Sequence, residues 1–590
     1  MSTDTVTNRD RLLLALIGGF AGYSFWFLFE VLEDFFSNSH VFLLIAAATF
    51  GFFGSLMALF GPLKLGRAAV SAVIVAVPSA LLLFWASYRF PEMEEFLETG
   101  LPLIAYSVLI TIPLPFLITA QSAKEGWRYY PALFDHAWNI VVRYAAAWLF
   151  VGIFWAVVML CNALFNIVGL TIIEDLLDID WVPFALTGGI LGLAIAVVNE
   201  LSDYVSPFLI LRLLRLLLPA FVVVVAVFVL ALPLQGLSGL FAGLSAAATL
   251  LAIAVAAVTL VSTALEKEDA DAVEGFVMLG SVRLLSLMTP IIVALAGYAV
   301  WLRVDQYGWT PDRLALATVV VLMQTYAVAY AVSVILRHNW MIHIRRANTY
   351  IALLLIALAA LWLTPVLNPE RISTNNQIAR FKAGRTDVET FDVWAIGREW
   401  GHAGAAGLRR LETMTDHPQS EQLQAKITRV TEASNRYELE NTRTATEINL
   451  STRELLQILA VRPESAVLKE EMFARLPGNT LNAIMDGCGR TTPEGHSGCV
   501  ALFVDLLPAT TDPEVIVAYM TGSQSARLVA FVPTENGGYE FKQYLSDLSD
   551  SSSNYRGADT VDAILAGRFT TGPAEIQVLR LLDSSIFIQP

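Results

Sequence analysis

The sequence predicts a polytopic α-helical membrane domain of about eleven transmembrane helices, followed by a C-terminal α+β soluble domain. Composition is the first reason: the 590-residue chain is 56% hydrophobic and only 15% charged, whereas soluble globular proteins contain about 25% charged residues. The second reason is patterning. The apolar residues before position 367 form repeated runs of about 20, the length that a helix needs to cross the hydrocarbon core of a bilayer.

We predict three parts: a transmembrane domain at 1–366, a helical neck at 367–450 and an α+β extracytoplasmic domain at 451–590. Residues 368–590 carry 21 Lys/Arg and 29 Asp/Glu, and the longer first part carries 17 and 24. Neither part has the excess of basic residues that is typical of nucleic-acid-binding proteins. The length and apolarity of the predicted spans indicate the lipid bilayer as a partner.

The predicted spans follow one another with short connections. The first follows a polar N-terminus, continues into further spans and has no small-residue cleavage site, which indicates a membrane helix and not a signal peptide. Whether the seventh and eighth spans are separate stays open, because only Leu234-Gln235-Gly236 divides them. In chain order the spans lie near 12–29, 41–60, 68–86, 101–120, 138–160, 182–198, 208–232, 241–264, 284–302, 314–336 and 348–364.

The orientation follows from the distribution of Lys and Arg in the short loops, since cytoplasmic loops carry an excess of both. Positive residues recur at the N-terminus and in every second loop, whereas the stretch 161–181 has four carboxylates and no positive charge. This predicts a bacterial inner-membrane protein with a cytoplasmic N-terminus. An odd number of spans then places the C-terminal domain in the periplasm. In chain order these positive residues are Arg9 and Arg11, Lys64 and Arg67, Lys124 and Arg128, Arg212 and Arg215, Lys267 and Arg283, and Arg337, Arg345 and Arg346.

Cys488 and Cys499 close a loop rich in Gly and Pro. Such a loop can bend back to disulfide geometry, and an oxidising compartment favours the bond. Closing a loop of this length would add roughly 2–3 kcal/mol of stability. The alternatives are two unpaired thiols or a metal site that also uses His496, although structural zinc requires four ligands and the sequence offers no fourth.

The C-terminal region changes from helical to β-rich patterning at residue 499. Spacing of apolar residues predicts helices before this point, and runs of β-branched residues predict strands after it, in a mostly antiparallel sheet. The predicted helices are 403–415, 418–433, 452–459, 467–475 and 559–566, and the predicted strands are 500–506, 515–520, 527–532, 539–544, 576–581 and 585–588.

Four ionisable residues near membrane depth form a candidate intramembrane polar site: Arg143, Glu200, Asp203 and Glu30. Burying such groups in lipid is costly, so they often mark polar pathways. The alternative is that each lies within one turn of an interface, where its side chain reaches water. Gly188-Gly189 indicates a turn or a packing site.

The sequence contains no nucleophile elbow, P-loop, dinucleotide fingerprint or zinc-protease helix. His402 has a potential carboxylate neighbour in Glu399, but one such pair is common. We therefore predict no catalytic residue, no metal ligand and no cofactor, and enzymatic activity stays uncertain.

Two segments carry a resemblance to a known family. One is Arg303–Arg313 (RVDQYGWTPDR), between two spans, and the other is Asn368–Gly384, followed by Phe391-Asp392 and Gly404–Leu408. With the preceding spans, they resemble bacterial membrane proteins grouped as domain of unknown function 4153, over roughly residues 10–415. The resemblance implies a multi-spanning inner-membrane protein and supplies no catalytic residues.

Both segments also have a physical interpretation. Thr310 is suited to cap the tenth span and Pro311 to occupy its first position. We expect the segment after Asn368 to lie against the outer membrane face, with Arg371, Arg380 and Lys382 near lipid headgroups.

Three functions remain as hypotheses. The first is a membrane-anchored scaffold or sensor whose periplasmic domain binds a protein or envelope component. The second is a transporter or channel for a solute, which the number of spans and the prolines inside them favour. The third is a membrane enzyme that acts on lipid or cell-envelope precursors.

Overall fold

The computed structural model describes the chain in two compact units, Met1–Gln424 and Ala425–Pro590. For residues 2–7, 200, 207–210, 232–235, 244–245, 478–479, 555–556, 579–581 and 584–586 it describes the backbone alone. It describes all other residues except 1, 33–34, 37, 201–206, 236–243, 434, 437–438, 440–452, 474–475, 477, 508–511, 523–524, 535–537, 543–554, 558, 573–578, 582–583 and 587–590.

The first unit is built from helices. Its described residues contain eleven helical spans that are long and apolar enough to cross a membrane. The helices that form them are α1 (Ser2–Trp26), α2 (Ser39–Leu59), α3 (Leu65–Ser87), the consecutive α5 (Leu101–Thr111) and α6 (Pro113–Ser122), α7 (Tyr130–Ile167), α9 (Trp181–Glu200), α10 (Pro207–Gln235), α11 (Leu244–Leu265), α12 (Phe276–Tyr307), α13 (Pro311–Leu336) and α14 (Trp340–Trp362). The shorter helices are α4 (Met93–Glu98), α8 (Ile172–Leu177), α15 (Pro369–Lys382) and α16 (Gly401–Glu412), with α17 (Ser420–Glu432) at the junction of the units.

The predicted spans are confirmed in number and order. The seventh and eighth are separate helices, α10 and α11, and residues 236–243 between them lie outside the described residues. The fourth span consists of two helices because Pro113 begins a new helix directly after Ile112. A proline inside a helix removes one backbone hydrogen bond and collides with the preceding turn.

The spans pack around two hydrophobic cores. The first core joins α1 to α7 and α9, and its buried residues include Ala72, Leu109 and Ile195. The second core joins α10 to α14, around buried residues such as Val261 and Ile292. Helix α14 contributes to both cores. The membrane unit therefore consists of two neighbouring helical bundles.

Helices α1 and α9 approach each other more closely than ordinary side chains would allow. A Cβ atom added to Gly18 would lie 2.0 Å from the carbonyl oxygen of Gly188, and one added to Gly192 would lie 2.0 Å from that of Leu14. Gly22 meets Phe184 in the same way. The pairing runs in opposite chain directions, so the two helices are antiparallel. Small residues at four-residue spacing commonly permit this contact in membrane helices, and Gly188 is thus a packing site.

The ends of the helices form two faces. We call one the extension face, made of residues 88–100, 303–313 and 363–424, because α15 and α16 lie on it. We call the other the opposite face, made of residues 60–64, 123–129, 266–275 and 337–339. Alternate loops meet on each face, as an ordered series of eleven crossings requires.

The second unit contains a six-stranded mixed sheet. Its order is β1-β2-β3-β4-β5, with β6 paired to β4, and all pairings are antiparallel except that of β1 with β2. The strands are β1 (Ala460–Arg462), β2 (Cys499–Val504), β3 (Glu514–Met520), β4 (Ser525–Pro533), β5 (Tyr539–Lys542) and β6 (Tyr555–Gly557), and a separate pair is formed by β7 (Leu579–Leu581) and β8 (Ser584–Ile586).

Helices cover both sides of this sheet. On one side Leu481 and Ile484 of α18 (Gly478–Cys488) pack against Val517. On the other side Val561 of α19 (Asp559–Leu565) packs near Ala518. Side chains of a strand alternate between faces, which explains why neighbouring residues of β3 belong to different cores.

The predicted α+β class is confirmed, and several details differ. Helix α18 was not expected, because Gly, Asn and Thr make its sequence a weak helix former; packing on the sheet stabilises it instead. The parallel strand β1 and the short strand β6 were also absent from the prediction. The first three residues of the predicted strand 576–581 lie outside the described residues.

Candidate functional site

A cavity of about 740 Å³ lies on the extension face. Its walls come from four separate parts of the first unit: helix α4 with the residues that follow it, the turn between α12 and α13, helix α15 and the segment before α16. The charged residues that line it are Glu95, Glu98, Asp312, Arg313, Glu370, Arg385, Asp387, Asp392, Arg398 and Glu399. A volume of this size suits a small organic ligand.

Glu370 is the most deeply buried carboxylate of this cavity. Only 4% of the residue is exposed, and its Oε2 atom accepts no hydrogen bond from the described residues. The Nη1 atom of Arg89 lies 3.6 Å from this oxygen, which is an ion-pair distance but too long for a hydrogen bond. The Oε2 atom of Glu370 thus has an ion-pair partner but no hydrogen-bond donor among the described residues.

Arg89 is itself held by backbone carbonyl groups. Its Nη2 atom donates to the carbonyl oxygens of Trp362 at 2.6 Å and Thr364 at 2.8 Å, at the C-terminal end of α14. The carbonyl oxygen of Arg89 accepts a hydrogen bond from the backbone N–H of His402 at 2.8 Å. One residue therefore connects the ends of α3 and α14 with the start of α16.

Helix α15 is attached to the turn between α12 and α13 through polar side chains. Gln377 donates from Nε2 to the carbonyl oxygens of Tyr307 at 2.8 Å and Trp309 at 3.0 Å. Asn376 accepts a hydrogen bond from the N–H of Trp309 at 2.9 Å. Arg380 donates to the carbonyl oxygen of Gln306, so this arginine supports the turn; its proximity to lipid headgroups stays a prediction.

Gly308 is required at the centre of this turn. Its φ of +76° lies in the left-handed region, which glycine adopts without steric cost. A Cβ atom at this position would lie 2.6 Å from Cδ of Arg380 and 2.7 Å from Nε2 of Gln377. The predicted cap of the next helix is confirmed, because Thr310 accepts a hydrogen bond from the N–H of Arg313 and Pro311 begins the helix.

The electrostatic character of the cavity is acidic. Seven carboxylates and three arginines line it among the described residues. Burial raises the pKa of the Glu370 carboxyl, and Arg89 only partly offsets this effect. Burial also raises the pKa of Glu95, with a further contribution from Glu92 and a smaller opposing one from Arg398. A cation in the cavity would relieve this unfavourable accumulation of negative charge.

All the segments that form these walls lie within the part of the chain that matches a known protein family. Residues 41–411 match the family described as domain of unknown function 4153 (DUF4153), which is more than half of the chain. The chain belongs to DUF4153. No curated protein and no solved structure matches the chain significantly.

The segments that carried the resemblance to DUF4153 meet at the cavity. The turn of Arg303–Arg313 and the helix within Asn368–Gly384 form two adjoining walls, and Asp392 belongs to a third. Sequence reasoning assigned these segments only structural roles. The structure adds a shared position around one acidic cavity in the DUF4153 part of the chain.

Arg143, predicted as part of an intramembrane polar site, is a residue of α7 and packs against the end of α2 near the opposite face. Only 4% of it is exposed. It donates to the carbonyl oxygens of Met57 at 3.2 Å and Ala58 at 3.1 Å, and to Oδ1 of Asn199 at 3.1 Å. It therefore satisfies carbonyl groups that the last turn of a helix leaves without partners.

The other three predicted members do not join Arg143 within the described residues. Glu30 is exposed and ends the first span, at the other end of the bundle from Arg143. The side chain of Glu200 and the whole of Asp203 lie outside the described residues. The polar site as a set of four residues stays a prediction.

Cys488 and Cys499 lie at disulfide distance, with their sulfur atoms 1.96 Å apart. His496 does not approach them as a third ligand. Instead its Nδ1 atom lies 2.9 Å from Oδ1 of Asp562, which also accepts a hydrogen bond from the hydroxyl of Thr492 at 2.6 Å. Asp562 thus holds the loop that the two cysteines close.

Glu494, His496 and Asp562 bring three potential ligand atoms within 4.8 Å of one another. Asp562 is already occupied by hydrogen bonds on both oxygens, since the N–H of Glu494 reaches Oδ2 at 3.1 Å. Burial would raise the pKa of Asp562, but these hydrogen bonds outweigh it and lower the pKa. The group is a hydrogen-bonded brace for the 488–499 loop.

Sequence reasoning missed Arg89 and Glu370 as a site. The available signal was the position of Glu370 in the first turn of a helix that begins at Asn368-Pro369. An acidic residue is common there, so the pattern did not distinguish it. The sequence around Arg89 did not indicate that it belongs to a site, because its partners are more than 270 residues away in the chain.

Proposed function

We propose that this protein is a membrane-anchored sensor that binds a cationic small molecule in the extension-face cavity, on the periplasmic side of a bacterial inner membrane. The observation that carries this proposal is the buried Glu370 carboxylate, whose Oε2 atom has no hydrogen-bond donor among the described residues and which lines an acidic cavity of about 740 Å³. An acidic cavity attracts cations. Tyr307 and Trp400 also line the cavity and supply aromatic surface, which favours organic cations.

The cavity also suggests how a ligand would transmit a signal. Its walls belong to α4, the α12–α13 turn and α15, so a bound cation would contact helix ends from both bundles. A ligand shifts a conformational equilibrium by its differential affinity for the two states. Binding would therefore favour the arrangement in which these walls are close together, and the following part of the chain would carry this change to a periplasmic partner.

Titration of the full-length protein with spermidine tests the proposal. Glu98 and Asp312 are exposed carboxylates of the cavity. We expect E98Q/D312N to weaken spermidine binding about five- to tenfold, because each carboxylate contributes a fraction of a kcal/mol at an exposed position. The matched control is E174Q/D178N, which removes two exposed carboxylates from the loop around α8. Equal affinities in the two double variants would remove the basis of the proposal.

The pH dependence supplies a further expectation for the same titration. The pKa of Glu370 is raised above 4.5 in the folded state, so the folded protein takes up this proton at a higher pH than the unfolded chain. Without ligand, stability should rise as the pH falls from neutral toward 4.5. Spermidine affinity should fall over the same interval, and E370Q should flatten this change. Calorimetric titrations between pH 7.5 and 5 would measure it.

The proposed orientation of the protein in the membrane rests on the charge pattern of the loops and on the cysteine pair. We expect alkaline phosphatase fused after residue 424 to be active and a fluorescent protein at the same position to be dark. In cells, Cys488 and Cys499 should resist alkylation until a reductant is added, as mass spectrometry of their peptide would show. Active cytoplasmic reporters together with freely alkylated thiols would place the second unit in the cytoplasm.

Transport is a second candidate, favoured by a smaller cavity of about 290 Å³ beside Arg143. Ile118 of α6 lines this cavity, so the broken fourth span borders it. Broken helices often line the binding sites of transporters. Uptake of labelled spermidine by proteoliposomes would favour transport, whereas binding without uptake would favour a sensor. The enzyme hypothesis draws on the same converging carboxylates and predicts turnover of a lipid-linked envelope precursor in these vesicles.

A further inference from the structure

A second large cavity, of about 700 Å³, lies on the opposite face of the membrane unit. It is bounded by the start of α7, the loop between α11 and α12, and the first turns of α14. This is where α7, which packs in the first core, meets helices of the second core. Its charged residues are Arg128, Lys267, Glu268, Asp269, Arg345 and Arg346.

Arg345 forms a fixed part of this cavity. It is 6% exposed, and it donates to the carbonyl oxygen of Leu265 at 2.7 Å and to that of Glu266 at 3.1 Å. Its Nη1 atom forms an ion pair with Asp269 at 2.5 Å. Arg345 therefore caps the end of α11 and neutralises one of the two carboxylates of the cavity.

The other cations leave the cavity with a positive balance. Arg346 is exposed, and the guanidinium of Arg128 stacks on the ring of Trp127 at 4.5 Å from the ring centre. Lys267 forms an ion pair with Asp135, with Nζ 3.1 Å from Oδ2. Glu268 offsets one of these charges, so a monoanion would find an excess of positive charge between Arg128 and Arg346.

A hydroxyl group adds a hydrogen-bond donor to the cavity wall. The Tyr130 oxygen accepts a hydrogen bond from Nδ2 of Asn348 at 3.1 Å, which leaves the phenol proton available for donation. Asn348 in turn accepts from the hydroxyl of the buried Tyr330 at 2.6 Å, and Ser262 lies 2.8 Å from that hydroxyl. The position of Tyr130 is thus determined by a polar network inside the second bundle.

The position of the cavity indicates that its ligand comes from the membrane. Tyr130 and Trp340 begin their spans, and aromatic residues at span ends commonly lie at the headgroup level. Ile342 and Tyr350 of α14 also line the cavity, and 37% and 55% of their surfaces are exposed. A cavity with basic residues between helices at this depth suits an anionic lipid headgroup.

We infer that this cavity binds the phosphate group of an anionic glycerophospholipid, with Arg128, Arg346 and the Tyr130 hydroxyl as its direct partners. Guanidinium groups bind phosphate oxygens through paired hydrogen bonds. A lipid held by Arg128 on one bundle and Arg346 on the other would join the two bundles at this face. This inference does not depend on the ligand proposed for the extension face.

Native mass spectrometry of the full-length protein with phosphatidylglycerol tests the inference. We expect one lipid adduct to form more tightly than the rest, and R128A/R346A to weaken that adduct about tenfold or more. The matched control, K64A/R67A, removes two exposed basic residues from the same face outside the cavity and should leave the adduct unchanged. Equal loss in both double variants would show a general charge effect and would overturn the inference.

Two further arms identify the source of the phosphate and exclude misfolding. Phosphatidylcholine should not compete for the tight adduct, and inorganic phosphate should displace it only at far higher concentration. Displacement by phosphate at equal concentration would indicate a soluble anion instead of a lipid. The variant Y130F, which retains the ring and loses the donor, should weaken the adduct while the melting temperature without lipid changes little; an unchanged adduct would remove Tyr130 from the site.

Discussion

Replacing Gly188 by leucine is expected to prevent formation of the first bundle. A Cβ atom at this position would lie 2.0 Å from the backbone carbonyl oxygen of Gly18, so α1 and α9 must separate to admit any side chain. Overpacking of a close contact typically costs about 1–3 kcal/mol and occasionally more. We expect a loss of about 3 kcal/mol or more for leucine, because backbone atoms cannot rotate away as a side chain would.

Fluorescence-detected gel filtration of the full-length protein would measure this loss as the fraction of monodisperse material. Gly152→Leu is the matched control, since Gly152 lies on α7 with no atom within 4 Å of an added Cβ. The same substitution there should leave the yield unchanged. A normal yield of G188L would mean that α1 and α9 are not in backbone contact.

Replacing Arg89 by alanine is expected to have the second large effect. The change leaves Glu370 buried without its cation and removes the donor for the carbonyl groups of Trp362 and Thr364. Loss of one partner from a buried ion pair typically costs about 3–5 kcal/mol. We expect the melting temperature to fall by roughly 10 °C, given the usual relation between stability and melting temperature in large domains.

The double variant R89A/E370Q separates the two contributions. It should recover part of the stability lost in R89A, because glutamine removes the uncompensated charge, but the carbonyl groups of α14 stay without a donor. Arg371→Ala removes an exposed cation one position from Glu370 and should change the melting temperature little. If R89A and R371A were equally mild, Arg89 would not hold the extension face together.

The membrane helices were predictable from sequence because each depends on a local property, the length of an apolar run. The predicted ends even of the short sixth span were close to those of α9. Which helices pack together was not predictable in this way. Gly188-Gly189 indicated either a turn or a packing site, and only the structure shows that Gly18 is its partner across 170 residues.

The candidate site was less predictable for the same reason. Glu370 and Arg89 come together from distant parts of the chain, and neither belongs to a motif with known chemistry. The approach of Cys488 to Cys499 was easier to predict, because the two cysteines are only eleven positions apart and the loop between them contains Gly and Pro. Helix α18 depends on contacts of Leu481 and Ile484 with the sheet. Helix propensity reflects only the local sequence and therefore could not predict it.

The contact of α1 with α9 also has a consequence for biogenesis. The first span leaves the ribosome about 170 residues before the residue that it must contact, which at ~5–20 residues per second is a delay of roughly 10–30 s. During this interval the glycine face of α1 lacks α9, the helix that it contacts in the folded protein. The first bundle can therefore close only after the sixth span is inserted, and a ribosome that stalls earlier would leave an incomplete protein for quality-control proteases.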